Sequence, residues 1–140
     1  MVGMTDPSGL RSHSADDARP LLVVDGANAV GSVPDGWWRD RRGAAERLRT
    51  RLEAVALGGL AGLPGPLEVV LVVEGRARGV EASEHVRVVE APAEGDDTIV
   101  EVVADSSPHR ERIVVTADRE LRARVVRLGA RAIGPAAIPR

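Results

Sequence analysis

The run Leu21-Leu22-Val23-Val24-Asp25 constrains this chain more than any other feature. Four consecutive apolar residues, two of them β-branched, lack the alternation of a half-wet strand. They read as a strand buried on both faces, the pattern of a parallel sheet. The pattern recurs: Glu68-Val69-Val70-Leu71-Val72-Val73-Glu74 and Arg112-Ile113-Val114-Val115-Thr116-Ala117-Asp118 share the apolar centre and the closing carboxylate. Val86-Arg87-Val88-Val89-Glu90, with more polar content, reads as an edge strand, and residues 130–134 as a short fifth one. Between the strands the apolar spacing is helical. Ala45, Leu48, Leu52 and Val55 form one stripe, from residue 37 or 40 to residue 57. Ile99, Val102 and Val103 follow Gly95-Asp96-Asp97 as an inward face, and Leu121, Val125 and Leu128 line a helix that Gly129 stops. Strands alternating with helices through short connections predict an α/β fold, a mainly parallel sheet of about five strands with helices on both faces.

A chain of 140 residues suits one core. With no Phe or Tyr, that core must be built from Val, Leu, Ile and Ala. Residues 1–19 are expected to be a disordered leader with little apolar surface, residues 20–134 the domain and residues 135–140 a short tail. Gly58 to Pro66, rich in Gly and Pro, reads as a loop. The absence of cysteine removes thiolate chemistry and Cys-based zinc sites and suits a reducing cytoplasm. His13, His85 and His109 have no metal-ligand spacing, and no apolar run approaches a membrane span.

In a parallel sheet the strand-to-helix junctions lie along one edge, so Asp25, Asp96 with Asp97, and Asp118 are expected to converge. Two carboxylates at 4 Å repel by about 4 kcal/mol at an effective dielectric near 20, a strain relieved by a proton or a cation. A hard divalent ion is the natural partner, and such a site suits phosphodiester hydrolysis. Helix capping explains one of Asp96 and Asp97 but not readily both.

Asp25-Gly26-Ala27-Asn28 at a strand end, Gly95-Asp96-Asp97 opening a helix, and Thr116-Ala117-Asp118-Arg119-Glu120-Leu121 after a later strand resemble the NYN branch of the PIN-like nucleases, including its YacP-like members. The resemblance spans residues 21–134. It implies a three-layer α/β/α domain and a Mg²⁺- or Mn²⁺-dependent endoribonuclease. By position it makes Asp25, Asp97 and Asp118 metal ligands or water-positioners, Asp96 a further ligand, Asn28 an orienting residue and Thr116 a turn-holder. Glu46 is the candidate for a fourth acid on the first long helix.

The formal charge of -2 gives no global attraction to a polyanion, so RNA would need a local basic patch, or the basic surface of a second copy or a protein partner. Arg39, Arg41, Arg42, Arg47, Arg49 and Arg51 crowd one stretch, with Arg39, Arg41 and Arg119 the best placed to grip phosphate. The stripe of the long helix, run backwards, passes through Arg41. Either the helix breaks at Gly43, or Arg41 emerges beside the strand tips near Asp25. Trp37 is a candidate platform for an unpaired base and Trp38 a core plug. Two other functions use similar residues: hydrolysis of a nucleotide, as a pyrophosphohydrolase or another small-phosphoester hydrolase, and a degenerate module that binds RNA or protein without cleaving.

Overall fold

The structure, a computed structural model, describes residues 17–140. Its elements are β1 (Leu21–Asp25), α1 (Gly26–Gly31), α2 (Arg41–Gly58), β2 (Gly59–Leu60), β3 (Leu63–Pro64), β4 (Glu68–Val73), β5 (Val86–Glu90), α3 (Gly95–Asp105), β6 (Arg112–Val115), α4 (Arg119–Arg127) and β7 (Arg131–Ile133). β1 is buried at every position because it is central: β5-β4-β1-β6-β7 is a parallel sheet, with Val23 opposite Val70 on one side and Val114 on the other. The expected edge strand, β5, is at the edge.

Alternate side chains of the sheet feed two cores. Leu22, Val24, Leu71, Ile113 and Val115 pack with Ala29 of α1 and with Leu48, Leu52 and Val55 of α2. On the other face Val23, Val70, Val72 and Val114 pack with Ile99 and Val103 of α3 and with Leu121 and Val125 of α4. The result is a three-layer α/β/α sandwich built without Phe or Tyr. Leu128 does not join this face as its spacing predicts; it lies past the end of α4 and is 37% exposed.

Three local outcomes differ from the reading of the sequence. The chain after β1 enters α1 directly, because the Asp25 carboxylate caps Asn28 N and the short helix buries Ala29 and Val30. The Gly- and Pro-rich loop contains the small antiparallel pair β2–β3. The tail folds back, with a 3-10 turn at Pro135–Ala137 and Ile138 buried in the first core.

α2 runs unbroken through Gly43, because Asp40 caps it by accepting from Gly43 N at 2.9 Å. Arg41 is therefore its first residue, at the strand tips. Trp37 and Trp38 stand in a separate 3-10 turn after Gly36, and Trp38 is not the core plug expected. Trp37 packs against the first core while Trp38 is 55% exposed and plugs nothing.

Most of the expected leader, residues 1–16, lies outside the described residues. Its last residues are tied to the sheet: Arg110 Nε donates to Arg19 O at 2.7 Å, and Arg110 Nη2 meets Glu68 at 2.8 Å and Asp17 at 3.5 Å. Among the described residues no helix is long and apolar enough to cross a membrane.

Candidate active edge

β1 and β6 are neighbours, so the residues that follow them meet at the carboxyl edge of the sheet. Asp25, 6% exposed, accepts from Asn28 N at 3.3 Å through Oδ1 and from Thr116 Oγ1 at 2.8 Å through Oδ2. Thr116 is fully buried, and its hydroxyl in turn accepts from Asp118 N at 3.1 Å. Asn28 Oδ1 accepts from Ala117 N at 2.8 Å. Asp118 caps α4 by accepting from Leu121 N at 2.9 Å. Asn28 and Thr116 thus hold Asp25 and the Asp118 backbone as one unit.

The carboxylates sense each other. Burial pushes the Asp25 carboxyl above its ordinary value; the bonds from Thr116 and Asn28 oppose this, and the charges of Glu74 and Asp118 add to it. Burial also raises Asp96, followed by the repulsion of Asp118, Asp25, Glu74 and Glu94. Asp25, Glu74, Asp96 and Asp118 therefore form one acidic field.

Two members differ from the sequence-based set. Asp97, the expected ligand, turns away from this field: its carboxylate is 81% exposed and pairs with Arg124 Nη2 at 3.0 Å, so its neighbour Asp96 occupies the edge. The two residues sit about 100° apart on the helix, so both cannot face the same point. Glu46 is also elsewhere, half-exposed beside Arg42 at 3.6 Å on α2. The fourth acid is Glu74, whose Oε2 accepts from Gly95 N, the first residue of α3. It closes β4 just as Asp25 closes β1, and this shared apolar-run-plus-acid pattern was the signal that could have found it. A 3-10 turn, Gly75–Ala77, follows it in place of a longer helix.

Among the described residues no three acidic side chains are close enough together to ligate an ion directly. A hydrated hard cation does not need three: Mg²⁺ commonly keeps several waters and takes only one or two carboxylates. Four mutually repelling oxygen donors, two with their charged forms disfavoured, are the chemistry such an ion satisfies, so the residues fit it.

The basic residues divide. Arg41 stacks over Trp37 at 5.2 Å, and both line a cleft of about 150 Å³ with Gly26, Ala27 and Glu74. Arg39 lies over Trp38 at 5.8 Å. Arg119, at the start of α4, is exposed beside Asp118. Arg42 and Arg47 are engaged by Glu46 and Asp35.

The five-stranded parallel sheet between two helical layers, with its acids along the carboxyl edge, has the architecture of a PIN-like α/β/α domain. Rae1 (YacP) from Bacillus subtilis shares this fold: its crystal structure superposes with a TM-score of 0.66 at 18% identity, over 84% of this chain and 70% of that one. A tryptophan-to-leucine mutant of Rae1 gives 0.68 at 18% identity, over 85% and 72%. No protein-family model and no curated protein sequence matches the chain.

Proposed function

We propose that this protein is a metal-dependent ribonuclease of the PIN-like, NYN type, hydrolysing RNA phosphodiester bonds at the carboxyl edge of its sheet. The observation that carries the reading is geometric: Thr116 and Asn28 tie Asp25 to the segment of Asp118 at the carboxyl edge, with Asp96 and Glu74 near enough for their charges to add to the effect of burial on Asp25. The fold shared with Rae1 (YacP) supports it, since the motifs of this chain resemble the YacP-like branch.

In this reading Asp25, Asp96 and Asp118 hold Mg²⁺ or Mn²⁺, at most two of them directly and the rest through its waters, and Asp97 serves instead to hold Arg124. The bound ion would supply charge neutralisation at the phosphate and a water of lowered pKa. Thr116 and Asn28 fix the orientation of Asp25, and Glu74 steadies the start of α3 so that Asp96 stays at the edge. Arg41 and Arg119 flank the acids and would bind the phosphates next to the cleaved bond, Arg39 a more distant one. Trp37 presents a ring beside Arg41 to an unpaired base.

The test is incubation of the purified chain with labelled RNA and with nucleoside triphosphates, each with Mn²⁺ or with EDTA. Cleavage of RNA that needs Mn²⁺ and disappears in Asp25→Asn is the expected result. Turnover of the triphosphates alone would make the protein a nucleotide hydrolase, and binding of RNA without cleavage a non-catalytic module.

A further inference from the structure

A second, larger cleft of about 700 Å³ borders α1. Among its lining residues are Asn28, whose backbone N is bonded to Asp25, and Ala117, next to Asp118 and bonded to Asn28, so it adjoins the acidic edge. Val33, just past α1, and Pro135 and Ile138 of the folded-back tail give it apolar surface, beside the polar Asn28 and Ser32. Two arginines, Arg51 of α2 and Arg140, line it as well.

Arg112 donates to the carbonyls of Val103 and Leu128, Arg122 to those of Thr116 and Ala132, and Arg110 to Arg19 O. Arg51 has no such partner among the described residues; its Nε, like Arg112 Nε and Arg110 Nη1, is buried without a hydrogen bond, but no other nitrogen of Arg51 makes one either. A desolvated guanidinium donor left unpaired is costly, and guanidinium is the group best shaped to take a phosphate. A cleft of this size that combines apolar surface with two arginines has the make-up of a site for a small anionic ligand.

We propose that this cleft is a nucleotide subsite: it receives one unpaired nucleotide of a single-stranded RNA, with the phosphate on Arg51 and the base against Val33, Pro135 and Ile138. The inference rests on the ribonuclease reading and adds the strand's path. Ala27 lines both clefts, so a strand crossing it passes from the Trp37–Arg41 side, over the acidic edge, into the Arg51 cleft. A duplex cannot follow this path, because its bases are not free to enter a cleft, and the subsite therefore selects unpaired RNA.

The test uses the full chain and a fluorescein-labelled single-stranded RNA of about eight nucleotides, followed by anisotropy in EDTA so that nothing is cleaved. Ala136→Trp fills the cleft from an exposed position, and Arg51→Gln removes the charge while keeping the length. Each is expected to weaken RNA binding about tenfold or more, with melting temperature and Mn²⁺ affinity unchanged, and Arg51→Lys to restore part of the loss. Amide signals of Gly31, Ser32, Val33 and Ala136 should shift on addition of the RNA.

Binding by both variants equal to that of the parent would overturn the subsite and leave the ribonuclease reading intact. No binding by the parent, together with no RNA cleavage in Mn²⁺, would overturn both. Adenosine monophosphate shifting the same amides at concentrations as low as the RNA would make the cleft a site for free nucleotides instead and overturn the proposal.

Discussion

Thr116 Oγ1 donates to Asp25 Oδ2 at 2.8 Å and itself accepts from the backbone N of Asp118 at 3.1 Å. One fully buried hydroxyl thereby ties the last residue of β1 to the residue before α4. Since Thr116 has no contact with water, neither bond can be replaced by solvent. Thr116→Val keeps the shape and removes both bonds, leaving an oxygen of the buried Asp25 carboxylate without its donor. The expected cost is about 1–3 kcal/mol of stability. If Asp25 holds the cation, Mn²⁺ affinity should also fall roughly 10- to 100-fold, as when an orienting partner of a ligand is lost. Calorimetric titration with Mn²⁺ beside thermal unfolding checks both; a variant that loses stability but binds Mn²⁺ as before would place Asp25 outside the metal site.

Asp96 and Asp97 are adjacent and chemically identical, yet Asp96 lies in the field of Asp118, Asp25 and Glu74, while Asp97 points outward and pairs with Arg124. Asp96→Asn is expected to reduce RNA cleavage at least about 100-fold, and to leave stability unchanged or slightly raised because a repelled charge disappears. Asp97→Asn should stay within about threefold of the parent in cleavage, since an exposed ion pair contributes at most about 1 kcal/mol. Single-turnover rates in Mn²⁺ measure the contrast, and a larger loss in Asp97→Asn than in Asp96→Asn would reverse the assignment.

The sheet was legible because burial on both faces leaves a plain mark, unbroken apolar runs such as Val69-Val70-Leu71-Val72-Val73. The convergence of Asp25 and Asp118 followed from topology alone. What stayed hidden depends on rotation and on tertiary contact. Helical phase around residues 95–97, which no alternation encodes, decides between Asp96 and Asp97. Glu74 was visible as a strand-closing acid, but its place at the edge depends on its bond to Gly95 N, between residues far apart in sequence. α1 carries too few residues for a helical stripe, and it forms through the cap on Asn28 N and the packing of Ala29 and Val30. Trp38 illustrates a limit of residue type as evidence: aromatic character made it a core candidate, while the 3-10 turn turns it outward.

Gly26 lets α1 begin directly at the strand tip. A methyl group there would stand 2.4 Å from the carbonyl oxygen of Val72 and 3.3 Å from Leu71 Cδ1. The first neighbour is backbone of a central strand and cannot move aside. Gly26→Ala should therefore destabilise the fold by about 1–3 kcal/mol or more despite the gain in helix propensity, and it should displace Asn28 and with it Asp25. Urea unfolding gives the cost; a variant as stable as the parent would mean that α1 does not pack this closely on β4.

Arg112, 4% exposed, opens β6 but serves two helices: it donates to Val103 O near the end of α3 at 3.2 Å and to Leu128 O just beyond α4 at 2.6 Å. Helix ends leave carbonyls without intrahelical donors; Val103 O also accepts from Ser106 N and Oγ, while Leu128 O depends on Arg112. Arg112→Met keeps much of the apolar stem and leaves Leu128 O unpaired. Its expected cost is about 1–3 kcal/mol, with the faster hydrogen exchange confined first to the last turn of α4. Exchange that accelerates uniformly, with no local onset, would argue against this cap.

Glu53 joins α2 to the segment before β5. Its carboxylate accepts from Ser83 Oγ and, at 2.8 Å, from His85 N, and meets His85 Nδ1 at 2.9 Å. The Ser83 bond is the largest influence; burial opposes it, and His85 adds to it, so the carboxyl is held down at about 2 against an ordinary 4.5. A depressed folded-state value means that the unfolded chain takes up the proton first. The stabilisation is complete above about pH 4.5 and is lost as the pH falls through about 2. Ser83→Ala lifts the folded value back toward the unfolded one, so the stability difference between parent and variant should be largest near neutral pH, shrink below about pH 4.5 and vanish near pH 2. Urea midpoints across that range test it, and a difference that stays constant with pH would mean that Ser83 acts through packing and not through the Glu53 charge.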